Sequence, residues 1–131
     1  MMIRRLWPSL VWAIFILILT GVPGSYFPSV VSFWDWLSPD KVVHIFIFGI
    51  QCVLILYAFR GQYSSDKQRY IVSVLIIFAT ILFALLTEVL QKYVFVGRNG
   101  SLWDFIADAV GVLIGFLAYY LHNYKKKIVN N

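Results

Sequence analysis

Five of the six carboxylates in this chain, Asp35, Asp40, Glu88, Asp104 and Asp108, read as lying on one side of a membrane, most of them at or just inside the ends of apolar stretches, in company with Lys41, His44 and Arg98. Carboxylates beside an imidazole can move protons, and a lysine with an arginine can hold a phosphate or carboxylate. At membrane depth such side chains are costly, so they turn away from lipid and mark a functional site by default. Glu88 lies amid Phe83, Leu85, Leu86, Val89 and Leu90, with Thr87 beside it and Gln91 one turn on. Facing lipid it would cost about 2 to 3 kcal/mol, so it is expected to face the bundle and meet a partner: Arg98 or Lys41 in a buried tie, or a ligand.

His44 follows Asp40 by four residues and Lys41 by three, which sets the three on one helical face. Asp104, Asp108, Gly111 and Gly115 recur at spacings of four, three and four, one face of another helix. Gly111 and Gly115 form a small-xxx-small pair that admits close helix approach, so this face packs inward and carries both aspartates toward His44 and Glu88. Plainer readings stand beside these. A lone histidine in a span is more often a satisfied core residue. Ser38-Pro39-Asp40 reads as a helix start, with Ser38 as cap and Asp40 favourable at the positive end of the dipole. Ser101 to Asp104 resembles a capping box. A divalent metal held by His44, Glu88 and the aspartates is a third reading, but no His-Glu-x-x-His pattern occurs and one histidine among carboxylates is a poorly specified ligand set, so no metal is assigned and no cofactor is named.

The elements that must position these residues follow from composition. Of 131 residues 61% are hydrophobic and only 13% charged, and the mean hydropathy of +0.81 excludes an ordinary soluble domain. A helix needs about 17 to 25 apolar residues to cross a bilayer, and four stretches meet or approach that length: about 7–22, 40–59, 70–91 and 102–122. Alternating segments of roughly ten residues, the mark of a transmembrane barrel, are missing from the sequence. The fold class is therefore an all-α integral membrane protein, a single domain over residues 1–131. The first stretch, after Arg4 and Arg5, resembles a signal peptide. It is read as a retained helix, because Gly21 to Ser25 offers no clean small-x-small cleavage site. Pro8 suits that helix's first turn.

Basic residues orient the spans. With the N-terminus cytoplasmic, Arg4, Arg5, Arg60, Lys67, Arg69 and Lys125 to Lys127 lie inside, eight against Lys41, Lys92 and Arg98 outside. Both termini are thus expected in the cytoplasm and the polar cluster at the extracytoplasmic end. The net charge of +5 is explained by this asymmetry and by anionic lipids, without nucleic acid. Tyr26, Phe27, Phe33, Trp34 and Trp36 read as an interfacial anchor on the outer leaflet. Cys52, the single cysteine, reads as packing, and Asn99-Gly100 as a turn rather than a glycosylation site.

Taken in order, Asp40-Lys41-Val42-Val43-His44 with Phe48, Thr87-Glu88-Val89-Leu90-Gln91, Gly97-Arg98, Ser101 with Asp104, and Asp108 with Gly111 and Gly115 resemble the motif series of the VanZ-like family. These small membrane proteins are named after a factor that gives bacteria resistance to the glycopeptide teicoplanin. The resemblance covers about residues 5 to 122, and the ordered combination is far more specific than any piece of it. Asp108 departs from the pattern by standing where asparagine is common, which favours an acceptor over a donor. The resemblance implies a multi-pass protein of the bacterial inner membrane. It would have an outward-facing polar pocket that acts on, or binds, a membrane lipid or lipid-linked envelope precursor, with a link to antibiotic resistance. Glu88, His44 and Asp108 would be the catalytic candidates, and Asp40, Lys41, Gln91, Arg98, Ser101 and Asp104 the binding candidates. The competing class is a non-catalytic scaffold or envelope modulator that uses the same cluster to capture a ligand.

Overall fold

The computed structural model describes residues 2–23, 39–61, 65–98 and 100–129, with side chains over 4–23, 39–61, 65–98 and 100–123. Four helices account for nearly all of them: α1 (Met2–Gly21), α2 (Pro39–Phe59), α3 (Asp66–Tyr93) and α4 (Leu102–Val129). Each is long and apolar enough to cross a membrane. The aromatic loop and Ser38, read above as an interfacial anchor and a helix cap, lie outside the described residues, as does Asn99.

Three helix boundaries differ from the sequence expectation. α3 begins at Asp66 rather than near residue 70, because Ser65 caps it by accepting the Gln68 N–H at 3.2 Å. α4 continues to Val129, past the apolar stretch, since nothing breaks the helix where hydrophobicity ends. α1 starts at Met2, so Pro8 sits inside it rather than in its first turn. Pro8 has no N–H to give to the preceding turn. In that same stretch Ser9 Oγ donates to the Leu6 carbonyl at 2.7 Å.

The interior is unlike that of a soluble bundle. Its apolar part centres on Ile16, Ile47, Phe48, Cys52, Leu56, Ile76, Ala84 and Val112. Ser9, Thr20, His44, Gln51, Ser73, Thr80, Thr87, Glu88, Gln91, Asp104 and Asp108 are buried with them. Large apolar side chains such as Ile18, Phe46, Phe78, Leu82 and Leu113 point outward instead. Polar groups inward and apolar groups outward is the arrangement a lipid solvent favours.

α2 packs most extensively on α4. A Cβ on Gly111 would collide with the backbone of Ile45, and one on Gly115 with the backbone carbonyl of Gly49. The two helices therefore run in parallel register with their backbones touching, Ile45 and Gly49 against Gly111 and Gly115. This seam fixes the site, because His44 adjoins Ile45 and Asp108 precedes Gly111 by one turn. α1 lies antiparallel to α2, tied by the Trp12 indole N–H donating to the Ile47 carbonyl at 2.9 Å. Gln91 Nε2 donates to the Thr20 carbonyl at 3.1 Å and joins the C-terminal ends of α3 and α1.

Candidate functional site

His44, Glu88 and Asp108 meet where the N-terminal ends of α2 and α4 face the C-terminal end of α3. His44 Nδ1 lies 2.8 Å from Asp108 Oδ1, a hydrogen bond between helices, and 3.9 Å from Glu88 Oε1. All three side chains are buried, Asp108 completely. One ligand-type atom from each lies within 4.8 Å of those of the others.

Glu88 has a structural task that its sequence context does not reveal. Its Oε2 accepts the backbone N–H of Ser101 at 2.8 Å. Ser101 is the cap of α4, and its own Oγ accepts the Trp103 N–H at 3.2 Å. In a capping box the cap's N–H would go to the side chain three residues on, here Asp104. Glu88 from α3 takes that place, which corrects the local capping-box reading and ties the start of α4 to α3. Gly100 makes the contact possible, since a Cβ there would strike the Glu88 carbonyl. Once this bond and the His44 bond are made, Glu88 Oε1 and Asp108 Oδ2 remain buried without a hydrogen-bond partner among the described residues.

A second tier stands nearer the surface. Asp40 is exposed, and Arg98 NH2 approaches its Oδ1 at 3.9 Å, while the Arg98 side chain itself is mostly covered. Asp104, at the edge of burial, lies close to both Asp40 and His44, which places this carboxylate between the tiers. Asp40, His44 and Asp104 form a second set whose ligand-type atoms lie within 4.8 Å of one another, so His44 is common to both tiers. Of the sequence candidates, His44, Glu88, Asp108 and Ser101 are joined by contact. Asp40 and Asp104 lie beside His44, Arg98 reaches Asp40, Lys41 follows Asp40 in the first turn of α2, and Gln91 is engaged with α1 through its amide nitrogen.

Sequence reasoning passed over two buried polar groups, Gln51 Oε1 and the Tyr119 hydroxyl, both without a partner among the described residues. Gln51 was detectable as an amide in mid-span. Tyr119 was not, because its setting depends on two helices at once. It borders a cleft of about 420 Å³ between the N-terminal end of α3 and the C-terminal part of α4, together with Asp66, Arg69, Tyr70, Phe116 and Asn123. That cleft is at the opposite end of the bundle from His44.

No curated protein and no solved structure gives a significant match to the chain. The sequence profile of the VanZ/LLP1 family matches residues 7–123, from the first turns of α1 to the last described side chain of α4. With all four helices and every member of the polar cluster inside the matched region, the chain belongs to the VanZ/LLP1 family.

Proposed function

We propose that this protein sits in the bacterial inner membrane and captures the anionic headgroup of a cell-envelope amphiphile, a membrane lipid or lipid-linked precursor, at the His44 end of its bundle. By doing so it contributes to glycopeptide resistance. The observation that supports this reading best is the layering of charge: Arg98 beside Asp40, with Lys41 next along α2, over a buried imidazole with two carboxylates. The Arg98–Asp40 contact is long, at 3.9 Å, and its carboxylate is more than half exposed, so solvent screens it. A phosphate can take paired, charge-assisted hydrogen bonds from a guanidinium such as that of Arg98. Ser101, Asp104 and Gln91 are the further polar contacts of this reading.

Lipid extracted from wild-type protein and from an Arg98→Ala variant, each purified in mild detergent, tests it. The wild type is expected to retain a phosphate-bearing amphiphile that the variant loses at equal helical content. Equal retention of the same lipids by both proteins would count against headgroup capture.

The hydrogen bond from His44 to Asp108 supports a second version, in which the site also cleaves or transfers the headgroup. A carboxylate that fixes an imidazole is the usual support of a proton-transferring histidine, with Glu88 as the other acid or base. Without such chemistry the protein is a ligand-capturing scaffold or envelope modulator.

Both versions place the site outside the cytoplasm, an orientation resting on the eight-to-three distribution of basic residues. Reporter fusions after residues 31 and 97 are expected to read as extracytoplasmic, and fusions after residues 65 and 131 as cytoplasmic. An extracytoplasmic C-terminal reporter would invert the site and remove the outer-leaflet ligand.

A further inference from the structure

The geometry points to a divalent-cation site formed by His44, Glu88 and Asp108. This inference does not rest on headgroup capture, since it concerns the inner tier alone. The two carboxylates come from different helices, and each uses one oxygen within the protein. Glu88 Oε2 takes the Ser101 N–H and Asp108 Oδ1 takes His44. Each keeps its second oxygen buried and without a hydrogen-bond partner among the described residues, Glu88 Oε1 and Asp108 Oδ2. Buried acceptors without donors are rare because each forfeits its hydration with nothing in return. Two of them, both in the group that converges on one imidazole nitrogen, point to a positively charged ligand.

The spacing fits. Ligands of one small cation bind at about 2.0 to 2.2 Å and so lie roughly 3 to 4 Å from each other. Ligand-type atoms of His44, Glu88 and Asp108 lie within 4.8 Å of one another, and His44 Nδ1 stands 3.9 Å from Glu88 Oε1, so small side-chain shifts bring them onto one ion, for which His44 Nδ1 exchanges its hydrogen bond to Asp108. Charge points the same way. Bound as ligands, the imidazole is neutral and both carboxylates are ionised, two negative charges that one divalent cation cancels in a buried setting. One imidazole with two carboxylates suits Zn²⁺ or Mn²⁺ better than a thiolate-seeking ion. Asp108 is the decisive member, because an asparagine there would supply a neutral oxygen and leave the cation's charge half balanced.

The cation competes with the proton-transfer version of the site for the same His44 nitrogen, and a binding experiment separates them. Full-length protein in detergent is freed of metal with a chelator and dialysed against Mn²⁺ or Zn²⁺, and bound metal is counted by mass spectrometry. Wild type is expected to hold one ion per chain, with affinity at least about tenfold weaker in Glu88→Gln and in Asp108→Asn. Loss of a ligand should cost no less than loss of a ligand's own support. Circular dichroism establishes that the variants keep their helices. If either fails to fold, pulsed electron paramagnetic resonance on Mn²⁺-loaded His122→Gln protein replaces it. His44 is then the one histidine left, so coupling of the metal to an imidazole nitrogen identifies it. No stoichiometric ion in wild type, undiminished affinity in both folded variants, or no nitrogen coupling overturns the inference.

Discussion

Gly111→Ala should be among the most damaging single-methyl additions possible in this protein. The added Cβ would meet the backbone oxygen of Ile45, and the carbonyl carbon and Cα of the same residue both lie at 2.8 Å. Backbone cannot rotate aside as a flexible side chain would, so α4 must separate from α2 or tilt. Overpacking of this kind costs typically about 1 to 3 kcal/mol, and the upper end is expected where the obstacle is main chain. The loss extends to the site, since the 2.8 Å bond between His44 and Asp108 depends on the same approach. Thermal unfolding of the purified protein, followed by circular dichroism, should show a clear fall in midpoint for Gly111→Ala. Leu113→Ala, at a position 54% exposed on the outer face, should change it by less than about 0.5 kcal/mol. An unchanged midpoint for Gly111→Ala would mean that α2 and α4 do not touch along this seam.

Gly111 and Gly115 also show how far the sequence could be read. Their four-residue spacing, in line with Asp104 and Asp108, announced an inward face on α4, and that face meets α2. The four spans were legible because lipid demands long apolar runs and this composition contains few other interpretations. Their ends were less so, because hydropathy marks where lipid stops and a helix stops only where its hydrogen bonding is interrupted. Ser65 and the extension of α4 to Val129 are both cases of this. That His44, Glu88 and Asp108 share one locus followed from the cost of exposing them to lipid. Their individual bonds did not follow. The Ser101 N–H reaching Glu88, and Gln91 reaching Thr20, depend on how the segment after α3 returns to the bundle and on how α1 leans against it. No periodicity encodes either contact. The cleft beside Tyr119 was invisible for the same reason, being shared between α3 and α4.

Glu88 combines two duties that substitution can pull apart, and Glu88→Ala and Glu88→Gln should therefore differ sharply. The Ser101 N–H needs an acceptor oxygen, which glutamine retains and alanine does not. Alanine strands this donor at the start of α4 and leaves space around the cluster. A stranded buried donor costs about 1 to 3 kcal/mol, so Glu88→Ala should lower the unfolding midpoint and the amount of protein in the membrane. Glutamine preserves shape and cap, and the separation of 3.9 Å from His44 means that no close ion pair is lost. Its effect on stability should stay within about 1 kcal/mol. Both proposed roles of Glu88, proton transfer and cation binding, need its charge. Glu88→Gln protein should therefore accumulate normally yet fail to support whatever glycopeptide tolerance or lipid retention the wild type gives an otherwise sensitive host. Wild-type activity in a normally abundant Glu88→Gln protein would reduce Glu88 to the cap of α4. A Glu88→Gln protein as unstable as Glu88→Ala would instead show that the charge itself holds the three helices together.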